Sequence, residues 1–377
     1  MGKKEVVMAK YIKSLSIDTF RGIKNLELQD FGDVNIFTGG NNCGKTSVLE
    51  LILSIQNPFL LWTWDWISRR APLEKYSNMC FYEQLNNLFD VDAEHKRIKY
   101  SYQLNNKENC NVEIAQEVDT ATLTEDEIMK IDPRAGMRIL DLDDTKKIRE
   151  YPVKKMKLQF KKNHNIVSER SIYDFQRMND RYEDYGDNLE ISNISYIYPE
   201  EHLLHDCFLG NVFEEPEMYQ ELLEILKSFD EDIISINATV DKITKNPVYK
   251  FLSAKHKTAI PLNMYGDGMK KVLRLIENMC GSKNGVMIID EFETGIHTSG
   301  MERIFGWLVK TCKKLNIQLF LCSHSIEAIE KLIKSTSDMD IDMKLYTLYR
   351  EDGENLVRSM DAREAVKFYN EMGLELR

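Results

Sequence analysis

Three short stretches carry side chains suited to phosphate chemistry. The first is Gly39-Gly40-Asn41-Asn42-Cys43-Gly44-Lys45-Thr46, a complete G-x-x-x-x-G-K-[ST] spacing followed by Ser47. Glycines let such a turn aim successive backbone N–H groups at phosphate oxygens, and the helix start behind it adds partial positive charge. Lys45 is expected to reach the β- and γ-phosphates, and the Thr46 hydroxyl to ligate magnesium. The second stretch is Asp290-Glu291, which ends the apolar run "GVMII". Two carboxylates at the end of a buried strand are costly unless they serve a metal and a water. Asp290 is expected to hold the metal's hydration shell, and Glu291 to orient and deprotonate the attacking water. The third is "FLCSHS", an apolar run ending in Ser323-His324. A neutral imidazole at the edge of a parallel sheet can read a γ-phosphate. No N-K-x-D motif follows the phosphate turn, which disfavours a GTPase.

These groups work only if strands and helices bring them together. The stretch "YIKSLSIDTFRGIKNLELQDFGDVNIFTGG" reads as two strands joined by a turn, the second running into the glycine turn. From Lys45 the spacing Val48, Leu49, Leu51, Ile52, Ile55 predicts a helix that ends before Pro58. Short alternating runs such as "RIKYSYQL", "NVEIAQEV" and "KKMKLQF" predict antiparallel hairpins, and "PEMYQELLEILKSF" a helix with Pro216 near its start. "DIISINATVDKI" and "VYKFLSA" read as strands. Beyond them, "YGDGMKKVLRLIENMCG", "SGMERIFGWLVKTCKKL" and "SIEAIEKLIKS" have helical spacing, while "GVMIIDE" and "IQLFLCSH" are buried strands. Such alternation predicts parallel strands with crossover helices. The tail "DAREAVKFYNEMGLELR" reads as a short helix without chemistry. The expected division is 1–90 and 236–377 as two halves of one α/β unit, with hairpins and helices inserted over 91–235.

With 43% hydrophobic and 29% charged residues, the composition is that of a folded globular protein. A net charge of -11 argues against a surface that coats nucleic acid throughout, since neutralising phosphates needs clustered Lys and Arg. Seven cysteines without C-x-x-C pairs, and no leader sequence, suggest free thiols in a cytoplasmic protein. "NPFLLWTWDWI" is too short to cross a bilayer and contains Asp65, so no membrane partner is expected.

Taken together, "IDTFRGIKNLEL", "NIFTGGNNCGKTSVLELI", "YGDGMKKVLRLI", "GVMIIDEFETGIH" and "FLCSHSIEAIE" resemble the ABC and SMC-type ATPase heads, including RecF and the OLD proteins. The resemblance is nearest to stand-alone AAA-type ATPase subunits of bacterial anti-phage defence systems such as PARIS. It implies an ABC/SMC-like P-loop head that assembles as a dimer or larger homo-oligomer around ATP and magnesium, each nucleotide lying between the phosphate turn of one copy and a signature turn of another. The signature role falls to Tyr265-Gly266-Asp267-Gly268. Gly266 stands where the family usually has Ser, so the contact across subunits must come from backbone groups, Asp267 or Lys270. Glu293-Thr294-Gly295-Ile296-His297 resembles the family's D-loop, and Gln56 and Gln84 are both available for its Q-loop. A separate nuclease or toxin is the implied effector partner, because only about 50 residues follow "CSHS" and the nuclease domain of OLD proteins has no room there. A nucleic acid or a phage protein would be the trigger. The rival expectation is a RecF-like DNA-binding clamp in repair.

Two weaker signals remain. "KKMKLQFKK" puts Met156, Leu158 and Phe160 on one strand face and lysines on the other, either a basic strip or lysines guarding a sheet edge. Phe59, Trp62, Trp64 and Trp66 are either a docking surface or core beside the first helix.

Overall fold

The computed structural model describes residues 8–69, 80–105, 107–134, 150–176, 189–203, 207–242, 245 and 247–372. In chain order the strands are β1 (Ile12–Phe20), β2 (Ile23–Leu28), β3 (Val34–Gly39), β4 (Arg97–Leu104), β5 (Cys110–Thr124), β6 (Glu150–Lys162), β7 (Asn165–Tyr173) and β8 (Ile194–Ile197). They continue as β9 (Ile233–Val240), β10 (Pro247–Ser253), β11 (Ile260–Pro261), β12 (Val286–Ile289), β13 (Gln318–Cys322), β14 (Met343–Glu351) and β15 (Glu354–Asp361). The helices are α1 (Lys45–Ser54), α2 (Leu61–Arg69), α3 (Phe81–Asn86), α4 (Glu125–Ile131), α5 (Gly210–Glu214), α6 (Pro216–Lys227), α7 (Asp267–Gly281), α8 (Thr298–Leu315), α9 (Ile326–Ser335) and α10 (Ala362–Met372).

The central sheet has the order β15-β14-β3-β13-β12-β8, parallel throughout except for the antiparallel edge strand β15. Every residue of β3, β12 and β13 is buried, as an apolar run covered on both faces requires. Alternate side chains go to opposite layers. Val34, Ile36, Met287, Ile289, Leu319 and Leu321 pack against α6, α7, α8 and α9. Phe37, Val286, Ile288 and Phe320 face α1 and the second sheet. That second sheet, in the order β2-β1-β4-β5-β6-β7, is antiparallel and supplies the third layer. A small sheet, β11-β10-β9, joins the helical side. Buried amides tie the layers together. Gln318 bonds the backbone N–H and carbonyl of Ile12 on β1, and Asn35 bonds Gly32 and Leu319, so these polar groups are satisfied inside the core.

The α/β class and the parallel alternation agree with the sequence reading, and several details differ. Three strands, not two, precede the phosphate turn. β1 and β2 form a hairpin over Arg21-Gly22, and β3 leaves for the other sheet. Residues 194–197, inside the stretch expected to be an insertion, form an edge of the central sheet. The hairpins over 97–173 extend the sheet begun by β1 and β2. β6 is internal, flanked by β5 and β7, so its lysines guard no edge. Met156, Leu158 and Phe160 are buried as expected, while Lys157, Lys161 and Lys162 pair with Glu169, Glu113 and Glu190. Trp64 is core, edge-on to Phe20 and Tyr100, and Trp62 is exposed. Among the described residues no helix is long and apolar enough to cross a membrane. The last five residues of the expected tail helix, and positions 135–149 and 177–188 of the expected insertion, lie outside the described residues.

Candidate active site

Parallel strands end at one edge, and here the three chemical stretches end side by side. β13, carrying Ser323-His324, lies between β3, which enters the phosphate turn, and β12, which enters Asp290-Glu291. The phosphate turn needs glycine at two of its three glycine positions. Gly39 has φ 135°, and a Cβ there would sit 2.0 Å from the Leu348 carbonyl oxygen; Gly44 has φ 101° at the N-cap of α1. Lys45 is buried, and its Nζ donates to the carbonyls of Gly39 (2.9 Å) and Gly40 (2.7 Å). Cys43 turns inward to the apolar core, which leaves only its backbone to face a ligand.

Thr46 Oγ1 donates to Asp290 Oδ2 at 2.9 Å, across 244 residues of sequence. The Tyr196 hydroxyl of β8 donates to the same oxygen at 3.1 Å. A hydroxyl and a buried carboxylate present hard oxygen donors, and this set fits a magnesium ion. Burial and the Asp290 carboxylate push the Tyr196 phenol well above its ordinary range, so it serves as a donor.

Glu291 follows on a tight turn with φ 47°, a strained angle for a side chain with a Cβ. Thr294 Oγ1 donates to Glu291 Oε2 at 3.2 Å and holds the carboxylate. Two residues on, Glu293 accepts from Ser323 Oγ at 2.7 Å, joining this turn to the His324 segment. Burial raises the Glu293 carboxyl above its usual range, opposed by the Ser323 hydrogen bond.

A cavity of about 520 Å³ opens over the phosphate turn. Asn41, Asn42, Gly44, Lys45, Thr46, Ser47 and His324 line it, while Gly39, Gly40, Cys43, Asp290 and Glu291 of the expected set do not. Asp290 reaches it through Thr46. Among its other lining residues, Arg21, Arg350 and Asn355 have no role in the sequence reading. Arg21, at φ 51° on the β1–β2 turn, pairs with Glu50 Oε2 at 2.7 Å beneath the phosphate turn. Burial pushes Glu50 up to about 8 while Arg21 pulls it down. Arg350 donates to the Gly22 carbonyl at 3.1 Å, and Asn355 donates to the Cys43 carbonyl at 3.4 Å. Arg21-Gly22 carried a local signal as a turn before an apolar strand. Arg350 and Asn355 carried none, because Asn355 acts 312 residues away in the chain.

The signature candidates lie elsewhere. Tyr265, Gly266, Asp267 and Gly268 open α7 and, with Gly295 and His297, border a second cavity of about 860 Å³ that shares no lining residue with the first. Asp267 pairs with Lys270 at 3.0 Å, and nothing lies within 4 Å of a Cβ placed on Gly266. His297 caps α8, its ring accepting from Ser299 N. Gln56 donates to the Ser192 carbonyl, and Gln84 is buried; neither lines the phosphate cavity.

Comparison with known proteins gives a family and several relatives. A family model described as "AAA domain, putative AbiEii toxin, Type IV TA system" matches residues 34–330. An "ATP/GTP phosphatase" of Helicobacter pylori is 24% identical over 373 residues, covering 92% of this chain and 96% of that protein. An uncharacterized protein of Methanocaldococcus jannaschii is 37% identical over 113 residues, covering 30% of this chain and 98% of its own. Among solved structures, an SMC head bound to the C-winged helix domain of ScpA aligns over 95% of this chain and 99% of its own, with 10% identity and a TM-score of 0.47.

Proposed function

The chain belongs to that AAA-domain family and is a P-loop ATPase; from this premise we propose that it hydrolyses ATP with magnesium in the cavity over Lys45, using Glu291 as the base. The observation that carries this reading is the Thr46–Asp290 hydrogen bond, which joins the phosphate turn to the acidic strand end and leaves Glu291 as the next residue. Backbone N–H groups over Gly39–Ser47 would receive phosphate oxygens, and Lys45 would exchange its two carbonyl partners for the β- and γ-phosphates. Thr46 and Asp290 would hold magnesium, which supplies charge neutralisation at the phosphates. Glu291 would orient a water and take its proton, and His324, which lines the cavity at the end of β13, would read the γ-phosphate.

The signature turn belongs to a different cavity from Lys45, which supports completion of the site by Gly266, Asp267 and Gly268 of a second copy. Residues 1–90 and 236–377 would form the two halves of this engine, and 91–235 would carry its insertion. On the resemblance to defence ATPases, assembly around ATP would hold or release a separate nuclease or toxin subunit in the cytoplasm in response to a phage trigger.

The test is Glu291→Gln. General base catalysis contributes roughly 10²–10⁴-fold, so the variant is expected to lose at least about 100-fold in kcat while still binding ATP. A rate like that of the unmodified protein would overturn the assignment.

A further inference from the structure

Lys271 sits one turn into α7, with a side chain that is 0% exposed and an ammonium that has no hydrogen-bond partner among the described residues. An ammonium is a compact, strongly hydrated charge with three donors, and burying one unpaired is among the costlier arrangements a fold can hold. Its surroundings are acidic. The carboxylates of Glu201, Glu293, Asp290 and Glu291 all act on it, yet burial outweighs them and lowers it to about 8. Glu293 is buried on the facing turn, its Oε1 accepting from Ser323 and its carboxyl also held by the backbone of Glu293 and His324. The turn that bears these acids is also pinned from behind, since a Cβ on Gly295 would lie 2.8 Å from His202 Nε2. A Cβ on Gly268, three residues before Lys271 on the same helix, would lie 3.6 Å from the Gly295 carbonyl, so α7 packs against the strained turn that carries Glu291 and Glu293, with the ammonium of Lys271 buried behind that contact.

We infer that Lys271 is a positioning residue for hydrolysis, its ammonium setting the place of the Glu291–Glu293 turn so that displacement of α7 is transmitted to the Glu291 carboxylate. The physical basis is the low dielectric of the buried site, where a charge pair is strong and its strength changes steeply with small shifts. α7 begins at the turn lining the second cavity, so whatever docks there acts on one end of the helix that carries Lys271. A buried lysine retained only for packing would be replaced by methionine with gain, because the apolar side chain fills similar space without the desolvation cost. The inference rests on Glu291 being the base, and the experiment separates the two.

Lys271→Met, Glu291→Gln and the double variant are compared for kcat, KM, nucleotide binding and thermal midpoint, with single-turnover assays for the slow proteins. Lys271→Met is expected to lose at least about 10-fold in kcat with KM changed less than about 3-fold, ATP binding kept and a midpoint equal or higher. The double variant is expected to be no slower than Glu291→Gln alone, as for residues acting through one group. Unchanged kcat in Lys271→Met, loss of ATP binding, or a further loss in the double variant would each overturn the inference. A fast Glu291→Gln would overturn the base assignment itself, and this inference with it.

Discussion

At the scale of single residues, the phosphate turn shows that equal letters do unequal work. Gly39, at φ 135°, has its missing Cβ replaced by the approach of the Leu348 carbonyl, whereas Gly40 has open space around it and no left-handed backbone. Gly39→Ala is therefore expected to distort the turn and abolish the rise in thermal midpoint that ATP gives, since only binding to the folded state produces that rise. Gly40→Ala is expected to keep it. Melting curves of both proteins with and without ATP and magnesium decide the point. The motif spacing fixes glycine at 39 and leaves 40 open, and the Leu348 carbonyl of β14 supplies the physical reason.

At the scale of elements, the β14–β15 hairpin acts as a clamp on a loop it never neighbours in sequence. Asn355 is buried, donates to the Cys43 carbonyl and accepts from Lys24 N–H, so it holds the phosphate turn and the β1–β2 hairpin together. Removing one partner of such buried bonds costs about 1–3 kcal/mol. Asn355→Ala is expected to raise KM for ATP about 5- to 10-fold with a smaller change in kcat, as steady-state kinetics would show. Hairpins were legible as elements because Ile98, Tyr100, Tyr102 and Leu104 alternate inward along β4. Their attachment was not, because pairing of β4 with β1 is set by backbone register that apolar alternation leaves open. β8 escaped for a different reason. Four residues in mixed surroundings carry too little periodic signal to place a strand.

At the scale of the whole molecule, the two cavities have separate linings. The phosphate cavity holds Lys45, Thr46 and His324; the other holds the turn of Gly266 and Asp267. Gly266 has φ -69°, and a Cβ there meets nothing among the described residues within 4 Å, so a side chain can be added without backbone strain. Gly266→Tyr is expected to leave the thermal midpoint within a degree or two while removing ATP-dependent assembly and most ATPase activity. Light scattering of the Glu291→Gln protein with ATP, with and without the added Gly266→Tyr change, reads this directly. An assembly that persists despite the Gly266→Tyr change would place the subunit contact elsewhere.

What the sequence determined by itself was local and periodic: the phosphate turn, the paired acids, the His324 strand end, and the buried strands that carry them. Those signals survive without a fold because each depends on neighbours within a few residues, through backbone angles, side-chain spacing and helix starts. Only the tertiary structure decided that β13 lies between β3 and β12, that Thr46 meets Asp290, and that Arg21, Arg350 and Asn355 complete the cavity. It also decided that Lys271 is buried, with no hydrogen-bond partner for its ammonium among the described residues. The physical reason is common to all of these. Burial and long-range contact are properties of how layers stack, and residues 244 or 312 apart share an environment only once the sheets have closed.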